Sequence, residues 1–403
     1  MKITLICHDI PYPPNRGARV EMWRRIKAFS NIGVELQLIS WINEPLQPEE
    51  IAEIKKYVKE ISLIPFKRTL GSLARRAIDL LHYPLEVTSR IVRGKELTTL
   101  LSGVRLFHPD VIWLDGIHGG EIADKLSKKL NVPLITRSHN IEYLYYRRLL
   151  ASTTDFTSKL KRYLSVSHLE SFEKDLLKKS TLFYDISVDD FKFWQSQGFR
   201  NGRYLPPIVE FPKDNYSEQA HDQISANLVY DVVFLGNLKV DNNVAGIVWF
   251  ITQVFPIIRS ALPTVKVLIA GSNPVKKVKQ LCEEHQGVSL SINPASSLAV
   301  YQSGRVLINP VLTGSGVSIK SIEMLVSGRP IVSTPQGIAG LPEEVRKLFK
   351  IAVNAQSFAE EIVRLLSTPL KVNVEQELLE SLFGPQVVEG VVSDINKEVF
   401  TVN

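Results

Sequence analysis

Along this chain, short β-branched apolar runs alternate with longer stretches in which apolar residues return every three or four positions. The first pattern predicts buried strands and the second predicts helices laid over them. In the first half, strands are predicted at 3–7, 34–40, 61–64, 111–114, 134–136 and 182–186, with a last short one near 203–205. Helical spacing marks 18–31, 49–59, 121–130 and 160–179. Strand, helix and strand in this rhythm predict parallel sheets covered on both faces.

After Pro206-Pro207 the pattern breaks. Residues 210–227 are polar and without period, which predicts a linker and a domain boundary. A second alternation comes next, with strands predicted at 232–235, 266–269, 288–290, 306–308 and 331–333 and helices at 243–260, 275–284, 318–327 and 357–366. The stretch 375–397 is again helical. The expected fold class is therefore α/β, with one Rossmann-like domain over 1–208 and a second over 209–384. A C-terminal helix, 385–403, is available to join the first.

Composition narrows the class. The chain has 403 residues, 44% hydrophobic and 22% charged, which suits a folded enzyme of two domains. No apolar run approaches the roughly 20 residues that span a bilayer. The opening Met1–Cys7 is cut short by His8-Asp9, so it reads as a first strand and not as a signal peptide. Two distant cysteines, Cys7 and Cys282, suggest neither a disulfide framework nor a metal cluster, and a cytoplasmic location is expected. Of the net charge of +6, residues 1–208 hold 32 Lys/Arg against 23 Asp/Glu, and the remainder holds 16 against 19. A basic first half attracts anions, either an anionic membrane surface or a phosphorylated acceptor. No basic-aromatic recognition motif accompanies the charge, so no nucleic-acid partner is expected.

The segment 305–341, RVLINPVLTGSGVSIKSIEMLVSGRPIVSTPQGIAGL, carries the clearest chemistry. An apolar strand ends in Asn309-Pro310, a turn holds Gly314, Ser315 and Gly316, and a helix comes directly after with Lys320 and Glu323. Glycines admit a ligand close to the backbone, and helix N-terminal amides point at phosphates. Lys320 supplies a positive charge against a diphosphate, and Glu323, three residues on, shares its helix face and accepts from ribose hydroxyls. The spacing is neither G-x-G-x-x-G nor a Walker loop.

This segment resembles the donor-site signature of the GT-B-fold retaining glycosyltransferases, glycosyl transferases group 1, and in particular a bacterial sugar-transferase branch with G-S-G-x-x-x-K-x-x-E followed by G-x-P-[IV]-V-[SA]-T. Further likeness lies in Val233–Leu238, Asn242-Asn243, Trp249-Phe250, Val267–Gly271, Pro13–Ala18 and Ser138–Glu142. The resemblance implies two Rossmann-like domains whose sheets face each other across a cleft. It also implies transfer of a hexose from a nucleotide-diphosphate sugar to a hydroxyl acceptor, with retention. The expected donor-binding residues are Gly17, Gly314, Ser315, Gly316, Lys320 and Glu323, with His139 and Lys320 in catalytic roles. His139 is placed beside the donor sugar, and Arg16 or Arg19 near a phosphate.

Where many relatives carry a glutamate eight residues before the helix glutamate, this chain has Ser315, and where an arginine is common it has Asn237. No Asp-x-Asp occurs, so no metal and no cofactor are expected, and Lys320, the loop amides and the helix dipole must hold the leaving group. Acceptor recognition falls to the first domain, with its basic stretches Lys67-Arg68, Arg75-Arg76, 90–95, 159–162 and 174–179. These suit a lipid-linked or otherwise anionic acceptor at the inner face of the plasma membrane, in polysaccharide, glycolipid or glycoconjugate synthesis. Two alternatives stay open: a nucleotide-sugar 2-epimerase, and a silent relative that binds a nucleotide sugar or a partner in a polysaccharide assembly complex.

Overall fold

Apolar runs short enough for strands and buried on both sides leave a chain little choice but parallel pairing with helical crossovers. The computed structural model describes residues 1–14, 17–66, 69–153, 155–211, 228–314, 316–369 and 375–400. In the first half β1 (Lys2–Cys7), β2 (Glu35–Ile42), β3 (Glu60–Pro65), β4 (Val111–Asp115), β5 (Leu134–Ser138), β6 (Leu182–Asp185) and β7 (Gly202–Tyr204) form one parallel sheet. Its order is β3-β2-β1-β4-β5-β6-β7. In the second half β8 (Tyr230–Asn237), β9 (Val267–Ser272), β10 (Val288–Ile292), β11 (Gly304–Asn309), β12 (Ile331–Ser333) and β13 (Lys350–Ile351) form another, in the order β10-β9-β8-β11-β12-β13.

Both orders reverse direction once, between β1 and β4 in the first sheet and between β8 and β11 in the second. At such a point the crossover helices leave to opposite faces and open a crevice at the carboxyl ends of the two central strands, where α/β sheets bind ligands. The registers put Cys7 opposite Asp115 at the first of these ends.

The chain divides into two units, Met1–Ile208 with Pro385–Asn403, and Val209–Gly384. Each sheet has apolar layers on both faces. In the first unit Trp23, Phe29 and Trp113 lie in one layer, and Trp41, Leu114 and Trp194 in the other. The second unit likewise has Phe234, Phe250 and Phe358 in one cluster and Leu307, Ile322 and Phe383 in the other.

Several expected elements come out differently. The stretch 160–179 is two helices, Phe156–Val166 and Leu169–Lys179, broken where His168 takes a φ of 60°. The stretch 375–397 is also two, Gln376–Phe383 and Val387–Ile395, because Pro385 has no N–H to continue the ladder. The first packs Leu379 and Phe383 into the second unit, and the second packs Val388, Val391 and Ile395 into the first. Helices at Leu70–Asp79 and Gly94–Phe107, and strand β13, were not expected. Of the linker 210–227, all but Glu210 and Phe211 lies outside the described residues, as does the basic pair Lys67-Arg68.

Length and composition alone would let Asp241–Ala261 cross a membrane: 21 residues, with a mean hydropathy of 1.5. Polar residues interrupt this helix, so it does not stand out as one apolar run. Its apolar face is instead spent on the sheet, with Ile247, Phe250, Ile251, Val254, Phe255 and Ile258 all buried in the core of the second unit. It is a core helix of the second unit.

Gly271 at the end of β9 has a φ of +154°, and a Cβ there would stand 1.7 Å from the Gly236 carbonyl oxygen of β8. Gly271→Ala must therefore part β8 and β9 at their carboxyl ends. We expect a loss of about 3 kcal/mol or more in that unit. Urea denaturation followed by circular dichroism should show an early, separate transition.

Candidate active site

At the carboxyl end of β11, Asn309 sits fully buried, and its amide organises the loop and helix beyond it. Its Nδ2 donates to Ser321 Oγ at 2.8 Å and to the Gly337 carbonyl at 3.1 Å, while Ser321 Oγ donates to the same carbonyl at 2.7 Å. Thr334 Oγ1 accepts from Gly337 N at 3.2 Å and donates to the Val311 carbonyl. Strand, glycine loop, helix Ile319–Val326 and the turn after β12 are thus tied together from behind.

The loop in front is held at few points. Gln336 Nε2 donates to the Gly314 carbonyl at 3.3 Å, and Thr313 Oγ1 donates to Asn242 Oδ1 at 3.1 Å. Gly316 has a φ of 70°. Ser315 lies outside the described residues. Glu323 is half-buried on the same helix as Lys320.

Lys320 is the unusual charge of this unit. Its Nζ donates to Asn243 Oδ1 at 2.9 Å and lies 4.5 Å from the centre of the buried Phe234 ring. Asn243 is itself oriented by a 3.0 Å bond from its Nδ2 to the Asn237 carbonyl. No carboxylate pairs with this ammonium among the described residues, and burial pushes its pKa down to about 7. Among the described residues the cation is held by a ring face and an amide oxygen.

The other crevice, between β1 and β4, holds a different kind of charge chemistry. Asp115 ends β4 and is buried. Its Oδ2 accepts from Arg25 Nη2, and its Oδ1 accepts from His139 Nε2 at 2.7 Å. Arg25 Nη1 also pairs with Glu21, and Glu21 Oε1 accepts from Arg137 Nη2 at 2.8 Å. Arg137 in turn donates to the Leu205 carbonyl at 2.5 Å. Burial raises the Asp115 carboxyl, but Arg25 and His139 outweigh it and hold the group well below the usual carboxylate range. Because the carboxylate can only accept, the His139 proton is on Nε2, leaving Nδ1 as the ring's remaining polar atom.

Glu21, Asp115 and His139 bring three ligand atoms within 4.8 Å of one another, a spacing that a metal ion would accept. Arg25 and Arg137 already neutralise these carboxylates, and a further cation beside two buried guanidinium ions would be repelled. The trio is an ion-pair network.

His8 comes just after β1, and its Nδ1 lies 3.0 Å from the Asp115 carbonyl oxygen. A carbonyl only accepts, so Nδ1 carries the proton and Nε2 a lone pair. Burial, helped by the charge of Arg90, lowers its pKa to about 4. Gly116, at φ +73°, leaves room for this ring, since a Cβ there would come within 2.7 Å of His8 Nδ1. His118 stacks edge-on 5.8 Å from His8 and is held neutral by burial, a packing role. The backbone amides of Glu142 and Tyr143 donate at 2.9 Å each to the Glu173 carboxylate, which fixes the helix after the His139 loop.

Gly17 opens the helix Gly17–Asn31 and is exposed, with open space where a Cβ would stand. Arg19 grips Asp9 with two bonds of 2.8 and 2.9 Å, while Arg16 lies outside the described residues. The structure thus gathers Lys320, Glu323, Gly314 and Gly316 at one strand end and His139 at another. Sequence reasoning named Phe234 and Asn243 only as family likeness and not as the lysine's partners, and it missed Asp115, Glu21, Arg25 and Arg137 around the histidine. Polar residues inside apolar runs, such as Asp115 at the end of β4 and Arg137 one residue before the end of β5, were the available signal.

Residues 230–368 match the family described as Glycosyl transferases group 1. A Klebsiella pneumoniae relative, an uncharacterised 44.6 kDa protein in the cps region, is 25% identical over 372 residues, 90% of each chain. Among solved structures, HepE of Anabaena in complex with UDP superposes with a TM-score of 0.64 at 11% identity, covering 98% of this chain and 99% of that one. Sucrose-phosphate synthase of Thermosynechococcus elongatus gives 0.65 at 14% identity over the whole of both.

Removing one carboxylate from the buried network leaves two guanidinium ions facing a single anion. Glu21→Gln should cost about 3 kcal/mol. The urea midpoint of the first unit should fall at an unchanged slope.

Proposed function

Since residues 230–368 belong to the Glycosyl transferases group 1 and the chain carries the two Rossmann-like units of the GT-B fold, we propose that this glycosyltransferase moves a hexose from a nucleotide-diphosphate sugar to a hydroxyl acceptor, with retention and without metal. The observation that carries the donor site is Lys320, an ammonium whose contacts among the described residues are neutral, set in the first turn of the helix behind the glycine loop. An anion is the partner that its charge calls for. The complexes of HepE with UDP and with UDP-glucose support a nucleoside diphosphate in this role.

In this reading the bond between the anomeric carbon and the diphosphate oxygen breaks, and the acceptor oxygen bonds to the same face of that carbon. The acceptor's proton passes to the departing phosphate, so no separate base is needed. Lys320, the loop amides and the helix N-terminus stabilise the charge that develops on the leaving group. His139, locked by Asp115, is assigned to the donor sugar. The cps-region relative supports a place in polysaccharide synthesis. A cytoplasmic enzyme working at an anionic membrane surface fits the basic first half.

A thermal-shift screen of UDP, GDP, ADP and UDP-glucose tests this. One nucleotide should stabilise the protein with or without EDTA, and Lys320→Ala and Glu323→Ala should each lose the shift. No shift with any nucleotide sinks the donor site. Binding without transfer or hydrolysis identifies a silent relative instead.

The lysine also sets a pH dependence. Below pH 7 it is already charged, so its contribution to diphosphate affinity is constant. Above pH 7 the free protein must take up a proton on binding, and affinity should fall by up to about tenfold per pH unit. Calorimetric titration of the nucleotide at pH 8, in buffers of different ionisation enthalpy, should show proton uptake that Lys320→Ala abolishes.

A further inference from the structure

An amphipathic helix on a globular unit normally turns its apolar face to the core and its polar face to water. The helix Leu70–Asp79 does the reverse. Leu70, Leu73, Ala74, Ala77 and Ile78 recur at the three- and four-residue spacing of one helical face, and the series runs on to Leu81. None of the helix's residues is buried, and Leu70, Leu73, Ile78 and Leu81 are between 51% and 87% exposed. The half-buried positions are Ser72, Arg76 and Asp79, on the other side. Arg93 grips Asp79 with bonds of 2.7 and 2.9 Å, so the polar side is the one fixed to the unit.

A second helix repeats the pattern. In Phe156–Val166 the side chains of Phe156, Leu160 and Tyr163 share one face and are between 54% and 79% exposed. Ser165, on the opposite side, is buried and donates to Glu86 Oε1 at 2.7 Å. Both helices pack against the short helix Leu85–Thr88, to which Glu86 belongs. The charge around these faces is one-sided. Segments 67–81 and 155–166 together hold seven Lys/Arg and two carboxylates, Asp79 and Asp155. Asp79 is taken by Arg93, and Asp155 caps its helix by accepting from Ser158 N at 2.8 Å.

Exposed apolar side chains among cations make the surface that an anionic lipid bilayer completes, its acyl chains taking the first and its phosphate headgroups the second. A second copy of this chain would cover the apolar faces, but a two-fold interface repeats the same patch and sets seven cations against seven. We infer that the helices Leu70–Asp79 and Phe156–Val166 lie in the surface of an anionic bilayer, with their exposed leucines, Ile78 and Phe156 among the acyl chains. The inference rests on the reading of the chain as a transferase at a membrane. It adds the attaching elements and the mode, which is insertion and not charge attraction alone.

The full chain, without nucleotide, is sedimented with phosphatidylcholine vesicles, with and without phosphatidylglycerol, at about 0.15 M salt. Binding to the anionic vesicles should exceed binding to the neutral ones by about tenfold or more. Leu73→Gln with Ile78→Gln, and Phe156→Ser with Leu160→Gln, should each weaken it by about tenfold or more. Leu106→Gln, at an exposed position of the helix Gly94–Phe107, should leave it unchanged. Lys159→Gln with Lys161→Gln should cost about fivefold per charge and flatten the salt dependence. The fluorescence that Leu73→Trp adds should be quenched by brominated acyl chains. All of these side chains are exposed, so circular dichroism should show the fold intact. The inference is overturned by equal binding to both vesicles, by apolar variants that bind as the wild type does, or by an added tryptophan signal that the brominated lipids leave alone. Self-association that Leu73→Gln with Ile78→Gln abolishes overturns it in favour of a second copy. The nucleotide-induced thermal shift, read separately without vesicles, tests the donor site alone.

Discussion

The carboxylate of Asp115 serves two groups at once, and the first unit is arranged around that division. One oxygen holds Arg25 and the other holds His139, while the carbonyl of the same residue fixes the tautomer of His8. One strand-end residue therefore orients two histidines and anchors Arg25, while Glu21 joins Arg25 to Arg137. The arrangement is stable because each charge has an opposite within contact, so the desolvation of four ions is offset by their mutual attraction. It is also unforgiving: removing any member strands another in a medium that water does not reach.

The second unit handles charge in the opposite way. Lys320 has no counter-ion among the described residues and rests on an aromatic face and an amide oxygen. A saturated network holds shape, whereas an unsaturated cation is receptive to an anion. The contrast separates the architectural charges of the molecule from the receptive one. Such sites keep their cost modest by letting the cation lose its proton or lean on neutral dipoles until the ligand arrives.

Much of the fold was legible because strands buried on both faces leave uninterrupted apolar runs, and twelve such runs became strands close to their expected limits. What escaped notice was decided by a single residue or by tertiary support. The φ of His168 splits one helix, Pro385 splits another, and the two-residue strand β13 exists only because β12 offers it an edge. At the site, Lys320 and Glu323 stood out from sequence by spacing from the glycines. Their supporting cast did not, because Asn243 and Phe234 come from other elements of the same unit. The buried Glu21–Arg25 pair has the i, i+4 spacing of an ordinary solvated helix turn. Only the strand ends beneath it, carrying Asp115 and Arg137, show that this turn faces inward.

The return of the chain at Pro385 makes the first unit discontinuous. Val388, Val391 and Ile395 complete an apolar layer begun by Met22, Trp23 and Ile26, and Tyr184 OH bonds Asp394 at 3.2 Å. On the ribosome, Met1–Ile208 emerges long before that closing helix, and the whole of Val209–Gly384 is made in between. The first unit must therefore wait with part of its core uncovered while the second, a continuous segment, folds to completion. In the order of biogenesis the later-made half matures first, and the earlier half is sealed only by the helix Val387–Ile395 that comes after it.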